Sequence, residues 1–562
     1  MKHQTSKKIN RLARKLAEEA MESDSSSEMP RRHHEHQARL LARMLNDVLL
    51  GRTAPGPICQ ADEPDDPLSF LPDPGSEDRL LLVSNGDLYT YAGGYWRCHT
   101  PEQIEGWASG LDGVPAWTKP GSVSAKGQVT TWQEKVSAVC LSSSDKRGIV
   151  KTLLTLEALQ DPTFFDTHLR AEGGVCLQNG FLSVEKDDES MWQCKLYDHS
   201  PLDRSTYRLE IPWPEEEPEE PSEYLAHLRS CWRDDEDKEQ KIDVLSEFIG
   251  LTALGYAHRI SGAACILQKG VANSGKSVTH DIVEAMFPRY DSAFNALVLS
   301  QNPTEWSAPS GSNSADFKLA SLRHCILNSD RDIPNWGRTG DSSTFKKMIT
   351  GDWVSFREPG GKGQRFIPKA GHIFSTNESI LSTSENHTDG DMRRINVLEF
   401  NRSFTGDDEA RNKTEYLESL TAQGEMQKLL FFSVRKAMRV LRANEQYTAL
   451  DSSEKIKREM EENANHLVMF LDEACMVGDR HRQKLRFVKS EYSDWCEMKG
   501  VSRKEQLSGI EFERALKSKG FRVESCRGAE RGSGKQKHVF GLDIKTSTAL
   551  GCNHSWREVV AH

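Results

Sequence analysis

The chain has 562 residues, 28% of them charged, and a formal net charge of −11. That length implies about three or four domains with ample chain for buried cores. The acidic balance excludes nucleic-acid binding over the whole surface but leaves room for a local basic channel. No apolar run approaches a membrane span, so no membrane partner is expected. The N-terminus lacks the apolar stretch of a secretory signal. The 12 cysteines stand singly with no C-x-x-C pair, which predicts reduced thiols and a cytoplasmic protein without zinc sites of that spacing.

Residues 1–55 read as a helical N-terminal segment broken at Glu22–Ser27. Its second helix, His36 to Leu50, carries Leu40, Leu41, Met44, Leu45, Val48 and Leu49 as a stripe, a face for packing against the chain or another subunit. The run His33-His34-Glu35-His36 is read as a polar surface segment rather than a metal site. Residues 56–78, rich in Pro, Asp and Glu, form a linker. A domain of mixed strands and helices is expected over 79–250. It opens with a meander around the turns Asn85-Gly86 and Gly93-Gly94. The acidic, Pro-rich stretch Pro212–Ser222 is an exposed connection, and Tyr224–Gly250 reads helical.

Residues 251–410 hold the chemistry. An apolar run from Ala264 to Lys269 predicts a strand. Gly270-Val271-Ala272-Asn273-Ser274-Gly275-Lys276-Ser277 follows, and then a helical pattern through Met286. Strand, G-x-x-x-x-G-K-S and helix is the order that a phosphate cradle needs. Glycines let backbone N–H groups turn inward, and the helix N-terminus adds partial positive charge. Lys276 is expected to reach the β- and γ-phosphates of ATP, and the Ser277 hydroxyl to ligate Mg²⁺.

A second strand, Arg323–Asn328, runs into Ser329-Asp330-Arg331-Asp332. A carboxylate at the end of a core strand is where Mg²⁺ and the attacking water are held. Asp330 is the first candidate and Asp332 the second. Ser342–Ile349 is a short helix with Lys346 and Lys347. The stretches Trp353–Arg357 and Arg365–Ile367 flank a Gly-rich tip holding Lys362, a hairpin suited, with Arg357, to phosphate-backbone contact. A third strand, Ala370–Ser375, ends near Asn377, an amide able to orient water. A fourth, Ile395–Phe400, follows Arg393 and Arg394. These arginines are better placed to act on a neighbouring subunit's ATP than on their own, which requires an oligomer with its site at the interface.

Residues 411–479 are a helical connection, with Asp451–Cys475 helical and charged. Over 480–545, a basic run, helix-rich residues from Tyr492, a helix at Ile510–Ser518 and two strands, Phe521–Glu524 and His538–Leu542, outline a winged helix. The loop between the strands would be the wing, with Arg527, Arg531, Lys535 and Lys537 facing DNA phosphates. Residues 546–562 are a tail.

Five ordered motifs (GVANSGKS, CILNSDRD, FKKMITGD with the Lys362 hairpin, IFSTNES and DGDMRRINVLEF) resemble the superfamily 3 helicases of the phage and plasmid primase–helicase type, which include poxvirus relatives. GDLYTYAGGYWR, VCLQNGFLSV and YDHSPLDRSTYRLEIPW look like the helicase-associated domain of that family. The resemblance covers about Arg79 to Ile544. It implies an α/β multidomain protein: an AAA+-like phosphate-loop ATPase core with a parallel sheet, preceded by a mixed α/β domain and followed by a winged helix. It implies a homohexameric ring moving on single-stranded DNA, generally 3′ to 5′, with ATP and Mg²⁺. Residue by residue, Lys276 and Ser277 match the loop lysine and hydroxyl. Lys346 or Lys347 matches the lysine after the second motif, Lys362 the DNA-gripping hairpin residue, and Asn377 the sensor. Arg393 and Arg394 match the arginine-finger pair, with Arg394 the better candidate. Asp330 stands where the family usually has glutamate.

The expected activity is therefore an ATP-dependent replicative DNA helicase of a phage, plasmid or integrated element, acting on origin or fork DNA in a bacterial host. The alternative is a replication initiator that uses ATP for assembly and hardly hydrolyses it. Residues 1–78 are too short for primer synthesis, so a primase would be a separate partner.

Overall fold

The computed structural model describes residues 2–22, 34–53, 77–118, 135–162, 164–165, 173–290, 296–306, 314–333, 342–357, 363–377, 392–406, 413–464, 466–499, 501, 506–527 and 535–545. The helices α1 (Lys2–Glu22) and α2 (His34–Leu49) bury the apolar faces that helical periodicity gives them. Ile9, Leu12 and Leu16 meet Leu41, Met44 and Leu45 in one cluster. Its other walls come from β1 (Leu81–Ser84) and β2 (Asp87–Ala92), from α3 (Pro101–Ala108), and, past the hairpin of β4 (Pro115–Thr118) and β5 (Lys135–Ala138), from α4 (Ser143–Leu153). Strand β3 (Tyr95–His99) packs Trp96 and Cys98 into a separate small cluster with Leu82, Tyr89 and Phe164. The stripe on α2 is thus covered within the chain, in part by Ile149, Val150 and Leu153 of α4. The β1–β2 turn takes Asn85 and Gly86 at φ 53° and 89°, the mirror-image turn whose twist suits a hairpin.

A second antiparallel sheet, β6 (Gly174–Leu177), β7 (Gly180–Lys186) and β8 (Trp192–Tyr197), belongs to a different core. Val175, Leu177, Leu182 and Val184 pack with α5 (Ser222–Cys231), α6 (Lys238–Ala253) and the central sheet. The acidic stretch before α5 is exposed, and it is also pinned. It lies along a basic helix of residues 423–442, where Glu219 pairs with Lys428 at 3.3 Å and Glu217 with Arg435. Trp213 packs on Phe431 with 5.1 Å between ring centroids.

The central sheet is all parallel. Its strands are β9 (Cys265–Gly270), followed by helix α7 (Lys276–Ala285); β10 (Val298–Leu299); β11 (Leu327–Asp330), reached through α8 (Ser314–Ser321); and, past α9 (Ser342–Thr350) and the hairpin of β12 (Val354–Arg357) and β13 (Gly363–Phe366), β14 (Gly371–Thr376) and β15 (Ile395–Phe400). The order across the sheet is β10-β11-β14-β9-β15. With helices on both faces, its inner strands bury nearly every residue, as β14 does over its whole length.

The second core strand differs from expectation. Leu322–His324 form a 3-10 turn, and the strand is Leu327–Asp330. An apolar run alone could not reveal this, because buried Asn328 and Ser329 are polar residues satisfied by distant partners. The Asn328 side chain exchanges two 2.9 Å hydrogen bonds with the Gln301 backbone.

Helices α10 (Lys413–Leu420), α11 (Gln423–Arg442) and α12 (Asp451–Ala464) lead to a C-terminal unit with its own core around Phe470, Tyr492, Trp495, Phe512 and Leu542. It comprises α13 (His466–Ala474), β16 (Cys475–Lys484), α14 (Leu485–Met498), α15 (Gly509–Ser518), β17 (Arg522–Arg527) and β18 (Lys535–Ile544), with sheet order β16-β18-β17. The basic run after Cys475 is a strand. A register shift between Val477 and Arg482 interrupts its pairing with β18, and so hides the alternation that would mark it in sequence. Among the described residues, no helix is long and apolar enough to cross a membrane. Among them, too, no group of three or more His, Cys, Asp or Glu could hold a metal ion.

Candidate nucleotide site at the carboxyl edge of the parallel sheet

Residues Val271–Gly275 link the end of β9 to the start of α7, and close packing dictates the glycines at both ends. A Cβ on Gly270 would lie 2.0 Å from the Phe400 carbonyl oxygen. Gly275 has φ +94°, and a Cβ there would lie 2.4 Å from Cys231 Sγ on α5. The outer flank of the loop is tied to the chain after β15. Val271 N–H donates to Phe400 O at 3.1 Å and Phe404 N–H to Asn273 O at 2.8 Å. Asn273 Nδ2 donates to Thr405 Oγ1 at 3.0 Å and Ser403 Oγ to Ala272 O at 3.3 Å.

Within this frame Val271, Ala272, Asn273 and Ser277 are exposed, whereas Ser274 and Lys276 are buried. The Lys276 amine turns back into the loop and donates to Gly270 O (2.9 Å), Val271 O (2.6 Å) and Ser274 Oγ (3.2 Å). Burial holds its pKa below that of an ordinary lysine, against the opposing pull of Asp332. A cation held only by neutral oxygens in a half-desolvated loop is a strong site for an oxyanion, since charge-assisted hydrogen bonds are about twice as strong as neutral ones. No side-chain cap covers the N-terminus of α7, so its first N–H groups also face the loop.

Neighbouring strands end on the same edge of the sheet as the loop, with Asp330 in register with Phe374 and Leu267. Thr376 of β14 pairs with Lys269 of β9, and exposed Asn377 follows it. One strand further, β11 ends at Asp330. Burial pushes the Asp330 carboxyl above its ordinary range, helped by the charges of Glu305 and Asp332, although Asp332 N–H donates to its Oδ1 at 3.4 Å. Carboxylates gathered at a strand end and partly desolvated favour a cation.

Asp330 sits on a braced strand end. Arg331 pairs with Asp281 (2.6 Å) and Glu284 (2.7 Å) of α7, and Ser375 Oγ donates to Arg331 O at 2.5 Å. Ser329 Oγ donates to Glu284 Oε1 at 2.7 Å, so His280 Nδ1 must be the donor in its 2.7 Å bond to Ser329 Oγ. Burial lowers the His280 pKa to about 3 and keeps the ring neutral. Under the loop, Thr279 Oγ1 donates to Gly275 O at 3.1 Å and lies 3.2 Å from His227 Nε2.

The structure therefore places the loop with Lys276 and Ser277, and the strand ends carrying Asp330, Asp332 and Asn377, on one edge of the sheet. Asp332 is near enough to act on the charges of Lys276 and Asp330. It does not bring Arg393 and Arg394 to them. Cys265 N–H, at the start of β9, donates to Arg394 O at 2.8 Å. The length of β9, about 17 Å at ~3.3 Å per residue, separates that point from Gly270. On α9, Lys346 is half-buried and Lys347 exposed, and Arg357 is exposed at the end of β12. Lys362, Arg531 and the Arg527 side chain lie outside the described residues. Lys535 is exposed, but Lys537 pairs with Glu513 at 2.6 Å, which also takes Lys517 at 2.9 Å. The residues that sequence reasoning missed are Cys231, His227, Glu305, Ser403 and Thr405. They come from segments far from the loop in sequence and carry no local motif.

A family of unknown function, DUF5906, matches residues 269–394, the span from the loop's threshold to Arg394. No curated protein matches the chain. Two solved structures of the NrS-1 C-terminal region in its A-form apo state are similar at low identity. One is 15% identical with a TM-score of 0.31, covering 64% of this chain and 82% of that one. The other is 14% identical with a TM-score of 0.33, covering 64% and 96%.

Proposed function

We propose that this chain is an ATP-driven, ring-forming helicase that moves on single-stranded DNA during replication of a phage, plasmid or integrated element. One observation carries the reading. The Gly270–Lys276 loop joins a central parallel strand to a helix, and Asp330 and Asn377 end the next two strands on the same edge of the sheet. The β9–α7 unit is read as a phosphate-loop core of AAA+ type and the C-terminal unit as a winged helix. In that reading the Lys276 amine leaves its carbonyl partners for the β- and γ-phosphates, and the α7 N–H groups cradle them. Ser277 and Asp330, with Asp332 beside it, hold Mg²⁺, which when bound offsets phosphate charge. Asn377 orients the attacking water.

Arg394 lies on the opposite edge of its own sheet, which favours its action on a neighbour's ATP in a homohexamer. Lys362, Lys347 and Arg357 are assigned to the strand in the ring, and the wing to origin or fork DNA. By the superfamily 3 resemblance, movement runs 3′ to 5′ in the host cytoplasm.

The test is steady-state ATP hydrolysis with and without single-stranded DNA, with Lys276→Ala as the blank. Turnover stimulated severalfold by DNA is expected. Tight ATP binding with negligible turnover in both conditions would overturn the motor and leave the ATP-assembled initiator, a reading that the short, partly desolvated Asp330 carboxylate favours.

A further inference from the structure

On the edge of the sheet away from the phosphate loop, a cleft of about 460 Å³ opens between two parts of the fold. One wall is made of the segments that lead into β9, β11 and β14. The other comes from the meander and from the β6–β7 sheet with the turn after it. Among the described residues lining it, Arg204, Arg259, Arg323, Arg365 and Lys369 are cationic and Asp203 alone is acidic. In a chain of net charge −11 this is a local reversal of sign, and a concave, low-dielectric wall focuses such a field.

The acid is occupied elsewhere, since Asp203 Oδ2 accepts Ser200 N–H at 2.8 Å. Two of the cations are positioned by backbone carbonyls, and Asp161 offsets part of the charge of Arg204. Arg204 donates to Phe164 O at 3.1 Å and Lys369 to Phe165 O at 3.4 Å. Burial lowers the pKa of His258 to about 3 and of His324 to about 4, so neither histidine alters the charge of the cleft near neutral pH. Aromatic surface accompanies the cations, because half-buried Phe165 and Tyr207 line the same walls. Arg365 carries the track outward. Its guanidinium stands 4.5 Å from the centroid of Trp353, a residue 47% exposed at the base of the β12–β13 hairpin.

We propose that this cleft is a second nucleic-acid site, taking a short stretch of single strand with its phosphates on Arg323, Arg365, Lys369 and Arg204 and a base against Phe165 or Trp353. Cations spread over several elements suit a chain of phosphates better than one compact anion. Aromatic faces accept any base. A duplex is too wide to enter. The proposal rests on the helicase reading only for the identity of the strand, and it adds a contact away from the hairpin tip and the wing.

The test uses the full chain and a fluorescein-labelled oligo-dT, with anisotropy read across a potassium chloride series. Replacing two phosphate contacts in Arg323→Gln/Arg365→Gln should weaken binding about tenfold or more near 0.1 M salt. It should lower the log–log salt slope by about 1.4, at ~0.7 per single-strand phosphate. The affinity for a fluorescent ATP analogue and the melting temperature should stay unchanged. Arg365→Gln alone, at an exposed position, should show about half that change in slope without a folding risk. Oligonucleotides carrying 5-iodouracil should cross-link to Phe165, Tyr207 or Trp353. Wild-type affinity and slope in both variants, with cross-links confined to other regions, would overturn the cleft while leaving the helicase reading intact. A wild-type protein that binds no oligonucleotide would remove both. Protection of the cross-links by dTMP as effectively as by oligo-dT would make this a mononucleotide pocket and overturn the strand.

Discussion

Gly275→Ala tests whether the loop is held in shape from beneath by α5. The substitution meets two separable obstacles. At φ +94° an alanine pays the left-handed penalty, about 1–2 kcal/mol. Its Cβ also falls 2.4 Å from Cys231 Sγ, a contact that forces α5 and the loop apart. Overpacking of that kind costs about 1–3 kcal/mol. Together the variant should lose roughly 2–5 kcal/mol from the loop-closed state, read as a lower urea midpoint and weaker binding of a fluorescent ATP analogue. The two parts separate in a double-mutant cycle. Cys231→Ala removes the sulfur, so Gly275→Ala/Cys231→Ala should recover the steric share, about 1–3 kcal/mol, and retain the backbone share. A coupling energy near zero, below about 0.5 kcal/mol, would refute the argument that the Cys231 thiol supports the loop.

Three further outcomes are expected. Ser329→Ala removes the hydroxyl between His280 and Glu284. It leaves a buried ring N–H without that acceptor, a loss of about 1–3 kcal/mol, seen as an earlier denaturation midpoint; unchanged stability would show that the relay does not brace β11. Burial raises the Asp330 pKa, so the folded site binds more protons than a free carboxylate does as pH falls toward the raised value. Apo stability from this group therefore declines as pH rises from the ordinary carboxylate value through the raised one. Mg²⁺–ATP binding, which favours the ionised form, should release protons in that window. Calorimetry in buffers of different ionisation enthalpy reads this directly, and uptake of protons would reverse the assignment. Mixing Arg394→Ala with Lys276→Ala subunits should restore part of the ATP turnover that each lacks, because some interfaces then pair an intact loop with an intact arginine. No recovery at any ratio would count against action across subunits.

The parallel sheet was largely legible because both its faces are covered. Strands such as Cys265–Gly270 and Gly371–Thr376 therefore read as short apolar runs. The loop was legible because its glycines and lysine answer to local geometry. What escaped was structure stabilised by distant partners. The second core strand is shifted along the chain from the apolar run Arg323–Asn328 that predicted it, since Ser329 and Asp330, polar residues that read as the start of a turn, lie within it. Residues 327–330 form a buried strand because Gln301, His280 and Glu284 satisfy Asn328 and Ser329. Strand Cys475–Lys484 escaped for a related reason, as its register shift spoils the period of two.

The same distinction applies to the candidate site. Asp330 and Asn377 stand at the ends of strands and Lys276 opens the helix after the loop, positions that can be counted along the chain. The residues that shape the loop cannot. Cys231 and His227 approach from α5, and Ser403 and Thr405 from beyond β15. They act by packing and by hydrogen bonds to backbone, which many residue types can supply and which leave no fixed spacing. The loop is therefore clasped by elements from before and after the sheet. A phosphate that draws Lys276 off Gly270 O and Val271 O acts on carbonyls next to the Val271–Phe400 hydrogen bond. Strain applied there passes first to the segment after β15 and to α5. Trp232, at the end of α5, donates its indole N–H to Glu399 O at 2.8 Å, and so joins α5 to β15 just before that segment. This physical chain, rather than the loop alone, is where binding of nucleotide would first be felt by the rest of the protein.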